Sequence, residues 1–339
     1  MKRKLRVLCL FDIIEPKEGE DFSRELETED WRTEADILRA LEDLGYERSV
    51  VGVFDDVSPI VQRVREYGPD VVFNLTEQFA GHRDLDKSIA AVLDLLGVPY
   101  TGAGPMGLGL ARDKALAKKI LTYHRVGVPA FVAFERGRNV KIPRRMPYPV
   151  IVKPLAEDAS EGIARASLVS RDSDLRRRVR FIHQSVGTDA IAEEYVEGRE
   201  VFCSILGNDR LRVLPLREVT MGNDPRRPRF CTYRIKWDPD HRQRWGVEFG
   251  FVTDLDREVA RRVSRVCKRA YRVLQMRDYA RLDLRLAPDG RIVIFEANPN
   301  PFLARGEDFA ESASEAGIDY PELVDRILAL AVRRGARAR

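Results

Sequence analysis

The sequence predicts an α/β protein, with an open parallel sheet at the N-terminus and antiparallel strands beyond it. Two observations carry this. From Leu5 to Gly102, short apolar runs alternate with stretches of helical spacing, the pattern of strands joined by crossover helices. Near the C-terminus, Arg281 to Pro301 reads RLDLRLAPDGRIVIFEANPNP, two strands around one tight turn. A length of 339 residues allows two or three domains.

Leu5 to Phe11 reads as a buried strand, and residues 12–30 as an acidic, irregular segment. Thr33 to Leu44 is an amphipathic helix, with Ala35, Ile37, Leu38 and Leu41 on one face and Gly45 as its stop. Val50 to Phe54 is a second strand, Pro59 to Tyr67 a second helix and Pro69 to Leu75 a third strand. Asp86 to Leu96 is a helix, followed by Val98 to Gly102. In such sheets ligands sit at the carboxyl ends of the strands, where Asn74, Glu77 and His82 fall. Gly102 to Gly107 is glycine-rich but has neither Walker A nor Rossmann spacing, so it reads as a domain junction. Arg112-Asp113-Lys114 opens a helix running to about Tyr123.

Tyr148 to Pro154 is a short strand ending on an inward Lys153. Residues 155–165 form a small-residue loop able to close over phosphates through backbone N–H groups. Ile191 to Val196 is another strand, and Glu197 to Glu200 turns into Val201 to Leu206. Residues 222–246 hold six Arg, one Lys and three Asp, and read as a basic loop, a nucleic-acid patch or a lid over a polyphosphate. Arg257 to Leu274 is a long basic helix, and Tyr320 to Val332 a closing amphipathic one. The arginines from Arg333 to Arg339 read as a frayed, solvated end.

Composition narrows the class. Hydrophobic residues are 44% and charged residues 33%, as in a soluble protein with a real core. No apolar run approaches the ~18 residues that span a bilayer. The basic-then-apolar start is interrupted by Asp12 and Glu15, and reads as a strand rather than a signal peptide. Cys9, Cys203, Cys231 and Cys267 have no metal or redox spacing, which points to free thiols in a reducing cytoplasm. A formal net charge of +4 is too mild to favour nucleic acid as the partner.

The hairpin carries the chemistry. Leu282, Leu284 and Leu286 alternate with Arg281, Asp283 and Arg285, so one face is apolar and the other charged. If Ala287 pairs with Gly290, Asp283 lies opposite Ile294, and Glu296 is its diagonal neighbour. Asn298 follows on that face. Two carboxylates and an amide oxygen suit Mg²⁺, which takes one or two carboxylates plus substrate phosphates. Ile292 to Phe295 is apolar on both faces, so the Glu that closes this strand needs a cation or hydrogen-bond donors.

Five motifs in this order resemble the ATP-grasp superfamily and, within it, the D-alanine–D-alanine ligases. They are Asp113-Lys114, Val150 to Pro154, Glu193 to Glu200, Arg281-Leu282-Asp283 and Glu296-Ala297-Asn298, and the resemblance runs from about residue 70 to 330. It implies an N-terminal α/β domain (1–104), a central subdomain (105–188) and a C-terminal subdomain with the metal site (189–335), ATP lying between two antiparallel sheets. By position, Lys114 and Lys153 resemble the lysines that neutralise ATP phosphates. Glu193, Glu194 and Val196 fall on the hinge whose backbone reads adenine, and Glu200 on the ribose ligand. Asp283, Glu296 and Asn298 would hold two Mg²⁺ ions, with Mn²⁺ an alternative. Arg281 would stabilise the transferring phosphoryl group, and Lys236 resembles the lid lysine. The implied partners are a small carboxylate and a small amine, amino acids by family, and a second copy of the chain in a homodimer.

The departures are on the substrate side. The ligases carry a Glu in a glycine- and serine-rich first loop; here DIIEPKEGEDFSRELETED stands instead, with Glu25 or Glu27 as replacements. The serine that ties down the lid is Ala159, beside Ser160, and the lid's Lys-Tyr pair is Lys236-Trp237. After Asn298 the family's Thr-Ser-Pro-Gly-Met is replaced by Pro299-Asn300-Pro301-Phe302-Leu303, which places Asn300 on the substrate wall. The expectation is an ATP- and Mg²⁺-dependent carboxylate–amine ligase that makes a dipeptide or amino-acid amide. True D-alanine–D-alanine ligation and a non-catalytic nucleotide-binding protein stay open beside it.

Overall fold

The computed structural model describes residues 4–17, 19, 21–156, 162–222 and 230–338, with the backbone alone at 236, 237, 239 and 338. The strands form three sheets. In the first, β1 (Arg6–Asp12) is central, paired in parallel with β2 (Glu47–Val53) and β3 (Val71–Asn74). Residues 98–102 add only a parallel bridge between Val72 and Tyr100. The second sheet contains β4 (Phe131–Phe134), β5 (Val150–Pro154), β6 (Leu168–Val169) and β7 (Ala190–Glu194), in the order β4-β7-β5-β6, all antiparallel. The third contains β8 (Arg199–Leu206), β9 (Arg212–Val213), β10 (Arg217–Met221), β11 (Val247–Phe251), β12 (Tyr279–Leu286) and β13 (Ile292–Asn298). Its order is β11-β10-β8-β12-β13, with β9 on β8, again antiparallel.

The helices are α1 (Arg32–Asp43), α2 (Ser58–Tyr67), α3 (Asp86–Leu96), α4 (Pro105–Arg112), α5 (Lys114–Tyr123) and α6 (Asp172–Phe181), followed by α7 (Tyr233–Trp237), α8 (Pro239–Trp245), α9 (Arg257–Val273), α10 (Asp308–Glu315) and α11 (Tyr320–Ala338). The apolar stripe of α1 packs with α11 against the first sheet, in a cluster that includes Ile37, Leu41, Phe73, Leu323 and Ile327. The stripe of α9 covers the third sheet through Val263, Cys267 and Tyr271. Among the described residues no helix is long and apolar enough to cross a membrane.

Four expectations are corrected. The acidic segment 12–30 contains two short 3-10 helices, Glu25–Glu27 and Glu29–Trp31. The glycine-rich stretch after Gly104 is helix α4, started by Pro105 at its first turn; Gly107 is there for closeness, since a Cβ would stand 2.7 Å from the Gln275 carbonyl oxygen. The described part of the basic stretch is helical, with Thr232 and Asp238 as side-chain caps of α7 and α8. Arg333, Arg334 and Arg337 continue α11 rather than fray, and Arg339 lies outside the described residues. Arg334 donates to the fully buried Asp278 at 2.7 Å and to the Tyr100 carbonyl at 2.6 Å, so the helix end is tied down.

Candidate active site

The register of β12 and β13 differs from the expected one, and the difference builds the site. Ala287 pairs with Arg291, not Gly290: its N–H donates to the Arg291 carbonyl at 3.0 Å, and Gly290 sits in the three-residue loop at φ 80°. A type I turn closed by a left-handed glycine has this length. The pairing then runs Leu286 with Ile292 and Leu284 with Ile294, which would set Asp283 opposite Phe295. A bulge after that point changes the register, so Asp283 faces Glu296 and Arg281 faces Asn298. Because strand faces alternate, one inserted residue moves Glu296 to the Asp283 face. All four polar residues thereby share one face of the sheet.

Lys118 completes the bulge. Its ammonium donates to the Phe295 carbonyl at 2.9 Å and lies 2.8 Å from Glu193. Glu193, on β7, also pairs with Lys153 of β5 at 3.1 Å. All three side chains are buried, so one carboxylate is shared by two ammonium groups, one from helix α5 and one from the neighbouring strand β5. Burial opposes the charge on Glu193, but Lys118 and Lys153 outweigh it and hold its carboxyl below the usual range. Burial lowers Lys118 to about 8, with Glu193 acting against that shift. Lys153 is also desolvated, but Glu193, Glu296 and Asp283 raise it, so it stays a cation. Lys114, in the first turn of α5, is buried 3.8 Å from Glu296. Asp113 caps that helix through the N–H groups of Ala115 and Leu116.

On the other side of the metal-type face, Arg281 donates to both oxygens of Asp283 at 2.7 and 3.0 Å. The amide of Asn298 donates to the same carboxylate at 3.2 Å. Asp308 at the start of α10 lies 3.8 Å from Arg281 and 3.0 Å from Arg217. Burial works against the Arg281 charge, and Asp283 and Asp308 more than restore it. Glu200, buried on β8, accepts from its register partner Arg285 at 2.6 Å. Its carboxyl is raised by burial in spite of Arg285.

These groups line a cavity of about 1020 Å³ between the two antiparallel sheets, closed on one side by the carboxyl ends of β1 and β3. Lys153, Glu193, Glu194, Val196, Glu200, Arg281, Asp283, Glu296 and Asn300 all line it. One end is apolar, with Ile151, Val196, Phe230, Val293 and Phe295 around the backbone of 193–196. Asn298 lines a side pocket of about 100 Å³ with Arg83, Arg112 and Arg281. Lys114 lies behind Glu296 and is not on the cavity wall. The Asn300 side-chain Oδ1 accepts from the Ala103 N–H at 2.9 Å, so this residue ties the loop after β13 to the junction before α4. Ser160 and the Lys236 side chain lie outside the described residues. Glu25 pairs with Lys17, and neither it nor Glu27 reaches the cavity. Asp12, Glu34 and Glu77 line that wall instead.

Sequence reasoning missed Lys118, Arg217, Arg285 and Asp308. Lys118 had a signal, standing one helical turn after Lys114 on the same face. Arg285 had one in its alternation with Arg281 and Asp283. Arg217 and Asp308 are joined only by tertiary structure, and no local pattern marks them.

Similarity to known proteins agrees with this geometry. Residues 121–329 match the family model described as D-ala D-ala ligase C-terminus. The chain is 32% identical over 302 residues to a D-alanine–D-alanine ligase of Desulforudis audaxviator, covering 88% of this chain and 92% of that one. It is 30% identical to the vancomycin B-type resistance protein VanB of Enterococcus faecalis, covering 81% and 78%. An uncharacterised protein of Sinorhizobium fredii is also 30% identical, covering 88% and 87%. The fold superposes on D-alanine–D-alanine ligase from Bacillus anthracis in its complex with ATP, with a TM-score of 0.76 at 19% identity over 99% of this chain and 100% of that one. The chain has the ATP-grasp fold and belongs to the D-alanine–D-alanine ligase family.

Proposed function

We propose that the protein joins a small carboxylate to a small amine with ATP, through an acyl phosphate, to give a dipeptide or an amino-acid amide. The observation that carries this is the single face bearing Arg281, Asp283, Glu296 and Asn298, set across the cavity from Lys153. A carboxylate is a poor electrophile. Transfer of a phosphoryl group to its oxygen makes an acyl phosphate, an amine then attacks the carbonyl carbon, and phosphate leaves. Such transfer needs positioning and charge neutralisation more than a protein nucleophile.

The parts divide the work. The apolar end with the 193–196 backbone suits a planar base, and Glu200 a ribose hydroxyl. Lys153, kept charged by its acidic neighbours, neutralises phosphate. Arg281 offers a fixed guanidinium to the transferring group and to the later oxyanion. Asp283, Glu296 and the Asn298 carboxamide form a hard-oxygen set that fits Mg²⁺, with phosphate oxygens completing the shell. Bound there, two such ions would supply further charge neutralisation at the triphosphate. Lys114 supports Glu296 from behind, and Lys236 and Ser160 are assigned to the lid. The domain limits at 104/105 and 188/189, a cytoplasmic location and a homodimer complete the reading.

The test is phosphate release from Mg-ATP against D- and L-amino acids, singly and in pairs, with product masses. Release that needs two substrates and gives a condensed product supports the ligase. Silence with ATP binding intact would overturn it in favour of a nucleotide sensor.

A further inference from the structure

The hairpin that carries the site is gripped at its open end, away from its turn. Asp278, just before β12 and three residues before Arg281, is fully buried, and its backbone is left-handed at φ 60°. Three segments distant in sequence bond to its carboxylate. The Gly102 N–H donates to Oδ2 at 2.9 Å, the Asn208 amide to Oδ1 at 2.8 Å, and the Arg334 guanidinium of α11 to Oδ2 at 2.7 Å. The Asn208 side-chain oxygen in turn accepts from the Asp278 N–H at 2.8 Å. Arg334 also donates to the Tyr100 carbonyl, and Arg277 donates to the Tyr100 hydroxyl at 2.7 Å. On the other strand, Asn300 just beyond β13 accepts from the Ala103 N–H. Residues 100–103 are therefore held from both hairpin strands and from the last helix. Their other side belongs to the first sheet. The Thr101 N–H donates to the Val72 carbonyl at 2.9 Å, and its hydroxyl oxygen accepts at 3.0 Å from the N–H of Asn74, which lines the cavity.

A buried ion pair is a poor source of stability, because desolvation cancels much of its attraction. What directed bonds from three segments to one carboxylate supply is geometry. We propose that Asp278 and Arg334 are positioning residues for ligation. They clamp the edge of the first sheet against the open end of the hairpin, and so fix the first-sheet wall relative to Arg281, Asp283, Glu296 and Asn298. The proposal rests on the ligase reading above. In that reading the base of ATP takes the apolar end of the cavity and its phosphates the metal-type face. The small substrates fill the remaining space, between that face and the first-sheet wall. A shift of about 1 Å between two such bodies costs about 10²-fold in rate. The apolar end is built differently: Ile151, Val196, Phe230, Val293 and Phe295 all come from beyond the first sheet. The clamp therefore acts on the two small substrates and leaves ATP binding alone.

The experiment measures kcat, KM for ATP and KM for each small substrate in the wild type, in Arg334→Met, in Arg334→Lys and in the double variant Asp278→Asn with Arg334→Met, with thermal unfolding beside each. The substrates are D-alanine with itself and any other pair of D- or L-amino acids that the wild type condenses. The expected result for Arg334→Met is a kcat/KM at least tenfold lower for the small substrates, with KM for ATP within twofold of the wild type. Arg334→Lys keeps a charged donor and should recover part of that loss. The double variant separates position from stability. Asparagine suits the left-handed backbone as aspartate does, and no buried charge is left unpaired. Its unfolding temperature should return toward that of the wild type while the kinetic loss remains. Wild-type kinetics in both Arg334→Met and the double variant overturn the proposal and keep the ligase reading. So does a loss that falls equally on ATP and the small substrates and follows the unfolding temperature. A wild type silent with every pair overturns both.

Discussion

The two ends of the cavity treat charge differently. At the end between the antiparallel sheets every buried ionic group described has an opposite partner: Glu193 has two lysines, Glu200 has Arg285, and Asp283 has Arg281. At the end made by the first sheet, Asp12 has the Gln78 side chain and backbone N–H groups, and among the described residues neither it nor Glu34 has a basic partner. The first arrangement is already organised before any ligand arrives, as electrostatic stabilisation of a transition state requires. The second has half-buried acids with no cation opposite them among the described residues. The difference separates the chemistry common to a family from the recognition that distinguishes its members.

The largest effects are expected where the paired end meets the reacting atoms. Asp283→Asn keeps an oxygen that can accept from Arg281 but removes the charge, and Glu296→Gln does the same across the hairpin. Each should lower kcat/KM by about 10³-fold with folding intact. Steady-state phosphate release and thermal unfolding measured side by side check this. Turnover at the wild-type rate in either variant would remove the metal-type face from the mechanism.

Legibility followed the same division. Alternation in residues 281–286 and the string Glu296-Ala297-Asn298 could be read locally, because strand period and turn chemistry are local. The one error there was the register. A bulge at Phe295 is stabilised by Lys118, a residue 177 positions away, and no local pattern announces such a contact. The first-sheet wall was less legible. Its acids come from a strand end, a helix start and a loop, and Glu34 sits in a helix whose apolar stripe hides its role. Glu25 and Glu27 were the acids that sequence put forward, but neither lines the cavity.

An intermediate effect is expected from the shared carboxylate. Lys118→Met leaves Glu193 with one ammonium instead of two and removes the donor to the Phe295 carbonyl. Breaking a buried pair costs about 3 kcal/mol. Glu193→Gln, made alone, leaves both buried lysines without their shared carboxylate and should cost more. Urea unfolding of the two variants decides it: a Lys118→Met cost near zero would mean that the bulge stands without its lysine.

The smallest effect tests the first-sheet end, and its sign is opposite. Glu34 is raised from 4.5 to about 7 in the folded protein, first by burial. An acid raised in this way holds its proton longer in the folded state than in the unfolded one. The folded chain then binds more protons between pH 4.5 and 7, so this group makes stability fall as pH rises through that window. Below the window both states are protonated and the cost is absent; above it the cost is full. Glu34→Gln should therefore stabilise the protein by about 1 kcal/mol at pH 8, after allowance for partial exposure, and leave it unchanged at pH 4. Thermal unfolding at the two pH values gives the comparison directly. A variant less stable than the wild type at pH 8 would mean that Glu34 is satisfied within the fold. The two ends of the cavity would then be alike in how they treat charge.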